Sequence, residues 1–336
     1  MAVLVTGGSG YIGSHTVVQL LQSGQEVVVL DNLCNSKRQA IDRIEKICKK
    51  RPIFIIGDVR DQSLLKSIFF KYKIDSIIHL AGLKSVAECK VKPLLYYDNN
   101  VGGSIALLNA MVLAGIKSIV FSSSATVYGE PQFLPYTEAH PLNPINAYGQ
   151  SKLAVEKILE DLLASDPSWH IALLRYFNPV GAHESGLIGE DPSGIPNNLM
   201  PLLAQVAVGK RANLSIFGND YATKDGTGIR DYIHVDDLAS GHLKALHYLQ
   251  SHTGILTINL GTGKGTSVLE LINIFEKISG VHIEKQFIAR RTGDLPEYYA
   301  DASQSKNILG WSAQHNVDRM CADAWRWQNQ NPNGFD

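Results

Sequence analysis

The opening stretch AVLVTGGSGYIG narrows the possible folds more than any other part of this chain. Ala2–Thr6 is an apolar run, as expected of a parallel strand buried on both faces. From Tyr11 to Leu21 apolar residues recur at helical spacing, and Gly24 is placed to end that helix. Between strand and helix stands Gly7-x-x-Gly10-x-x-Gly13. In this context each glycine has its own use, in a tight turn, in close backbone approach to a pyrophosphate, and in close helix–strand packing. The helix start then offers amide donors and a positive dipole end to phosphates. A dinucleotide-binding unit is the expectation.

A second apolar run, Glu26–Leu30, leads to Asp31, 18 residues after Gly13. A carboxylate there accepts hydrogen bonds from the adenosine ribose hydroxyls and repels a 2′-phosphate, so NAD is favoured over NADP, with Lys37 and Arg38 nearby. Asp58 in GDVRD has two readings, an adenine contact or a helix cap. The alternation continues with strands at Ile53–Ile56, Ser76–Leu80, Ser118–Ser122 and Ile171–Arg175, and helices at Gln62–Tyr72, Leu95–Ala114 and Ala147–Ala164. This pattern predicts a doubly wound parallel α/β sheet of the Rossmann type over residues 1–177. After that the texture changes. NPVGAHESGLIGEDPSGIPNNLMP is a long Gly/Pro/Asn-rich stretch of the kind that usually carries function. Helices near Pro196–Val208, Val235–Leu249, Val268–Ser279 and Val317–Gln328 follow. Residues 178–336 are expected to form a smaller mixed α/β substrate-binding lobe, with some return to the main sheet.

Hydrophobic residues make up 45% and charged residues 19%, with a formal net charge of −1 and no basic run. Nucleic acid and anionic membrane are therefore unexpected partners. The four cysteines form no Cys-x-x-Cys pair and the histidines no ligand pair, so neither a metal site nor a disulfide framework is expected. The apolar start lacks a basic leader, which points to the cytoplasm.

In NAYGQSKLAVEK, Tyr148 and Lys152 lie one helical turn apart on one face. The spacing alone is weak, because tyrosine and lysine are both common here. A phenol of ordinary pKa about 10 needs a shift of about three units, roughly 4 kcal/mol, to be half ionised at pH 7. Lys152 and a positively charged nicotinamide ring would both act in that direction.

TGGSGYIG, HLAGLKSV, FSSSATVYG and YGQSK occur in the order and context of the extended short-chain dehydrogenase/reductase family, which the whole chain resembles. The resemblance implies Ser124, Tyr148 and Lys152 as the catalytic group, with the Ser124 hydroxyl on the sugar oxygen. It extends the cofactor set to Tyr11, Ile12, Asn32, Asn35 and Ser36, then to Val59, Leu80, Ala81 and Gly82. Ser122, Tyr176 and Phe177 complete that set. Lys84 resembles a lysine that reaches the cofactor phosphates, or is a solvated residue at a helix start. Asn99 faces the nicotinamide by the family pattern, or braces backbone.

LRYFNPVGAH, IPNNLMP, GTGIRDYIHVDDLA, LGTGKGTSV and RRTGDLPEYYAD resemble the branch of that family that epimerises C4 of a UDP-hexose. This implies UDP-glucose and UDP-galactose as substrates. Arg230 and Arg291 would hold the diphosphate, a role suited to the guanidinium fork. Asn178, Asn198 and Leu199 would lie near the hexose, diphosphate and uracil. Phe217 would pack on uracil, Asp294 would accept from a ribose hydroxyl, and Tyr298 would line the sugar end. Tyr298 matches the bulky residue of forms confined to glucose and galactose. After Ser124 the family's dehydratases carry acidic residues and its decarboxylases a glutamate; Ala125 and Thr126 cannot supply that acid. A homodimer is expected. Two other readings are an epimerase of UDP-N-acetylglucosamine and a non-catalytic NAD sensor, which would lose the Tyr–Lys pair.

Overall fold

The computed structural model describes residues 2–194, 196, 198–291 and 293–336. Strand β1 (Ala2–Thr6) is buried along its whole length. Its alternate residues feed opposite cores, Val3 and Val5 on one face, Ala2 and Leu4 on the other. β2 (Glu26–Asp31) repeats this with Val27 and Val29 against Val28 and Leu30. Strands apolar on both faces need helices on both sides, and the expected doubly wound sheet is the result.

β3 (Ile53–Ile56), β4 (Ile74–His79), β5 (Ser118–Ser122), β6 (His170–Tyr176) and a later strand, Gly254–Leu260, complete a 7-stranded parallel sheet. Its order is Gly254–Leu260, β6, β5, β4, β1, β2, β3. The order in which strands are added reverses between β1 and β4, and the crevice at such a point, outside the carboxyl ends of the strands, is where ligands of these sheets bind.

Two local features differ from the sequence expectation. The span 95–114 is not one regular helix: Pro93–Tyr96 is α-helical, Tyr97–Gly102 is a π-helical turn, and Gly103–Ala114 is α-helical again. Such widened turns concentrate at functional sites. Here the turn presents Asn99 to the crevice, while the buried Asn100 accepts from Leu83 N at 2.7 Å and donates to Leu83 O and Ser151 Oγ at 3.0 Å. A further helix, Gln39–Cys48, lies between β2 and β3.

In the second half, Leu214–Phe217 pairs with Lys285–Ile288, and Ile229–His234 pairs with Asn178–Val180, Gly265–Ser267 and Glu297–Tyr298. Leu203, Phe275 and Met320 share a core beside them. The helix Val235–Leu249 lies elsewhere. Its Leu238, Ala245 and Leu249 share the core of Val17 and Leu20 on helix α1 (Tyr11–Gln22). Residues after 177 thus give the main sheet both a strand and a covering helix. Among the described residues no helix is long and apolar enough to cross a membrane.

Candidate active site

The glycine turn is shaped by close approach. Gly7 sits at φ +71, and a Cβ there would lie 2.8 Å from Ala81 N. At Gly13 a Cβ would lie 2.2 Å from the Gly7 carbonyl, so only glycine lets α1 start against its own turn. Gly10 precedes α1 without a side-chain cap, which leaves the first amides facing the crevice. Asp31, at the end of β2, accepts from Ser9 N at 3.0 Å, Leu33 N at 2.9 Å and Ser36 Oγ at 2.8 Å. Its carboxylate is therefore held at the rim.

The cleft above the turn encloses about 1170 Å³, its open mouth included. Gly7, Gly10, Tyr11, Ile12 and Gly13 form its floor, and Asp31, Asn32, Asn35 and Ser36 one end. Val59, Leu80, Ala81, Gly82, Lys84 and Asn99 form a wall, and Tyr148, Lys152 and Tyr176 the other end.

Three expected cofactor residues do not line the cleft. Asp58 takes hydrogen bonds from Arg60, which above all hold its carboxyl well below the usual range, and from Asn32. The helix Gln62–Lys71 is capped by Asp61, so the capping role read for Asp58 belongs to that residue. Ser122 stands behind the wall, its hydroxyl donating to Tyr176 at 3.1 Å and its carbonyl accepting from Lys152 Nζ at 2.8 Å. Phe177 is buried beside the rings of Tyr136 and Tyr298.

The helix Ala147–Ser165 starts on Asn146, whose side chain accepts from Gly149 N at 2.9 Å. One turn in, Tyr148 and Lys152 are 7% and 5% exposed, which rules out a surface pair. Lys152 Nζ lies 6.0 Å from the centre of the Tyr148 ring. Burial draws the Lys152 ammonium down to about 8. Burial also holds the Tyr148 phenol well above its usual range, opposed by a hydrogen bond with Ser124. Among the protein's own groups desolvation wins, so ionising the Tyr148 phenol requires a further positive charge in the cleft. Ser124 opens the short turn Ala125–Val127, accepting from Thr126 N at 3.2 Å. Ser123 turns away to Glu156, which is paired with Arg175 at 2.6 Å in the core.

On the other side, the Tyr298 hydroxyl donates to Asn178 Oδ1 at 2.9 Å. The Arg230 guanidinium lies 4.6 Å over the Tyr298 ring and donates to Asp294 at 2.5 Å. Asn178, Arg230, Asp294 and Tyr298 are thus one cluster. Arg291 lies 3.8 Å over Phe217. Asn198 donates to Glu190 Oε1 at 3.0 Å, and the same oxygen accepts from Lys84 Nζ at 2.9 Å. Leu199 opens the helix Leu199–Ala207 beside it.

A family model described as GDP-mannose 4,6 dehydratase matches residues 4–324. The UDP-glucose 4-epimerase of Bacillus subtilis (strain 168) is 56% identical, over 100% of this chain and 99% of its own length. That of Yersinia pestis is 54% identical over 100% and 99%. The crystal structure of the Bifidobacterium longum UDP-glucose 4-epimerase in complex with NAD+ and UDP superposes with a TM-score of 0.97 at 50% identity, covering 99% of this chain and 100% of that one. The chain belongs to the UDP-glucose 4-epimerase family.

The epimerase-family motifs do not account for the whole cleft. Glu190, Asp191 and Phe335 also line it. Glu190 and Asp191 fall in the long irregular stretch whose functional character is legible in the sequence, but no spacing ties them to a partner. Phe335 lies 304 residues beyond Asp31, with no local signal at all.

Proposed function

We propose that the protein interconverts UDP-galactose and UDP-glucose by oxidising and re-reducing C4, with NAD as resident cofactor. The observation that carries this reading is the convergence in one cleft of the glycine turn, the rim carboxylate Asp31 and the buried Tyr148–Lys152 pair, with Ser124 bonded to Tyr148. The fit to a dinucleotide is steric as well as chemical: a Cβ on Gly7 or Gly13 would meet backbone. Asp31 fits ribose hydroxyls and opposes a 2′-phosphate.

When bound, NAD supplies an acceptor and then a donor for the C4 hydrogen. Tyr148 takes the proton of the 4-hydroxyl and later returns it, while Ser124 hydrogen-bonds the same oxygen. Lys152 stabilises the phenolate by charge. Arg230 and Arg291 hold the diphosphate, Asn178 and Tyr298 the sugar end, Asn198 and Leu199 the nucleotide side, Phe217 the uracil and Asp294 the ribose. Firm hold on the diphosphate leaves the 4-keto sugar free to present its other face. Ala125 and Thr126 beside Ser124 carry no acid for elimination. In this reading residues 1–177 hold the cofactor and residues 178–336 the UDP-sugar.

The deciding assay incubates the purified protein with UDP-galactose, without added NAD. UDP-glucose should accumulate over many turnovers with no net NADH; a reaction that stops after one NADH per bound cofactor would point to a dehydrogenase. A second reading, turnover of UDP-N-acetylhexoses, is opposed by Tyr298, whose hydroxyl is tied to Asn178 and whose ring lies under Arg230. Tyr298→Gly is expected to admit UDP-N-acetylglucosamine, and equal turnover of both sugars by the parent would refute that gate. A homodimer suits the exposed apolar side chains along residues 91–113, where Val91, Leu94 and Leu113 are 76%, 81% and 72% exposed; the cytoplasm is the compartment proposed for it. Sedimentation should give twice the monomer mass.

A further inference from the structure

The adenosine end of the cleft is bounded by two loops and by a segment far away in sequence. Lys37 follows Asp31 on one lip, and Asp191 belongs to the irregular loop that forms the other; both line the cleft. Lys37 Nζ lies 3.3 Å from Asp191 Oδ2 and 2.9 Å from Asp336 Oδ1, so one ammonium joins the first lip to the second and to the segment 334–336. Asn35 tightens the same seam by accepting from Ser193 N at 3.2 Å.

The segment is packed as well as paired. Phe335 N donates to Asp191 Oδ2 at 3.0 Å. Gly334 stands at φ +78, and a Cβ on it would lie 2.3 Å from Asp191 Oδ1, so the backbone runs directly against that carboxylate. The Phe335 ring is buried, 4.9 Å from Trp327 and 5.0 Å from the Arg43 guanidinium carbon, and it lines the cleft. The second lip rests on the same tryptophan: Trp327 Nε1 donates to Glu190 O at 3.3 Å, and a Cβ on Gly189 would lie 2.4 Å from its ring.

We propose that Asp191, Lys37 and the segment 334–336 form a clasp across the adenosine end that retains the dinucleotide, with Phe335 as its packed anchor and Lys37 as its electrostatic fastening. The proposal rests on reading the cleft as the NAD site. These are positioning residues: a nucleotide leaving from that end must part the lips, and parting them breaks the ion pairs and uncovers Phe335.

The test measures how fast labelled NAD leaves the full-length protein when chased with excess unlabelled NAD, with circular dichroism to verify folding. Lys37→Ala should accelerate release several-fold, since each partly exposed pair contributes up to about fivefold. It should also flatten the salt dependence that the parent shows, because the ion pairs that salt screens are gone. Phe335→Ala should accelerate release about tenfold or more, because its packed ring holds the clasp more strongly than the ion pairs do. Lys117→Ala, which breaks the exposed pair with Asp166 on the far side of the sheet, is the control. Gly334→Ala is a stricter probe of the docked backbone, and the charge variant stands in for it where it does not fold. Acceleration confined to the Phe335 and Lys37 variants supports the clasp. Release at the parent's rate from both, or equal acceleration in Lys117→Ala, overturns the clasp alone. A parent that takes up no NAD overturns the cofactor reading and the clasp with it.

Discussion

At the glycine turn, the groups facing the cleft are backbone amides at the start of α1 and a carboxylate held by Ser9, Leu33 and Ser36. Around Arg230 they are side chains engaged with one another: Arg230 with Asp294 and Tyr298, Tyr298 with Asn178, Arg291 with Phe217. The first region is preorganised by main-chain geometry and needs little rearrangement to accept a ligand. The second holds its donors in mutual pairs, which the diphosphate of the proposed substrate would have to displace. A site that keeps its occupant suits the first construction, and a site that releases product every cycle suits the second.

The largest expected effect lies where the two regions meet. Tyr148→Phe keeps the buried ring and removes the hydroxyl proposed to take the proton, so kcat/KM should fall at least about 10²-fold while NAD and UDP still bind. Near-parental turnover would return the pair to an ordinary buried helix face. The next pair of variants sets the regions against each other. Gly13→Ala places a Cβ against the Gly7 carbonyl and should weaken NAD binding about tenfold or more, leaving UDP affinity intact. Arg230→Lys keeps the charge but loses the fork, and should raise KM for UDP-galactose about tenfold with NAD content unchanged. Loss of both affinities in either variant would erase the distinction.

The smallest effect concerns the pair that Asp58 makes with Arg60 beside the cleft. Hydrogen bonds from Arg60 depress the folded-state pKa of Asp58, so the pair stabilises the fold fully above the unfolded carboxyl value of about 3.9. That contribution is lost as pH falls from there through the folded-state value. Because the pair is partly exposed, Asp58→Asn should cost about 1 kcal/mol or less at pH 7, seen as a small drop in Tm that shrinks below about pH 4. A difference that grows with acidification would contradict the sign.

Much of the first region is legible in the amino-acid sequence. The strand–turn–helix, Asp31 and the Tyr148–Lys152 face depend on short-range rules of periodicity and glycine geometry. The helix expected over 95–114 shows the limit, since apolar spacing does not distinguish a π-helical turn from an α-helical one. Asp58 shows another: of its two readings the helix cap falls to Asp61, and Arg60, its ion-pair partner, has no signal in the spacing.

By itself the sequence determined the parallel strand pattern, the glycine turn and the placing of Tyr148 and Lys152 on one helix face, because each is written within about thirty contiguous residues. Only the tertiary structure decided which distant groups meet: Lys37 with Asp191, Lys84 with Glu190, Tyr298 with Asn178, Phe335 with Trp327. The physical reason is that such contacts arise where the return of Gly254–Leu260 and Val235–Leu249 to the main sheet brings the two halves of the chain together. A pairing across that distance leaves no periodic trace along the chain.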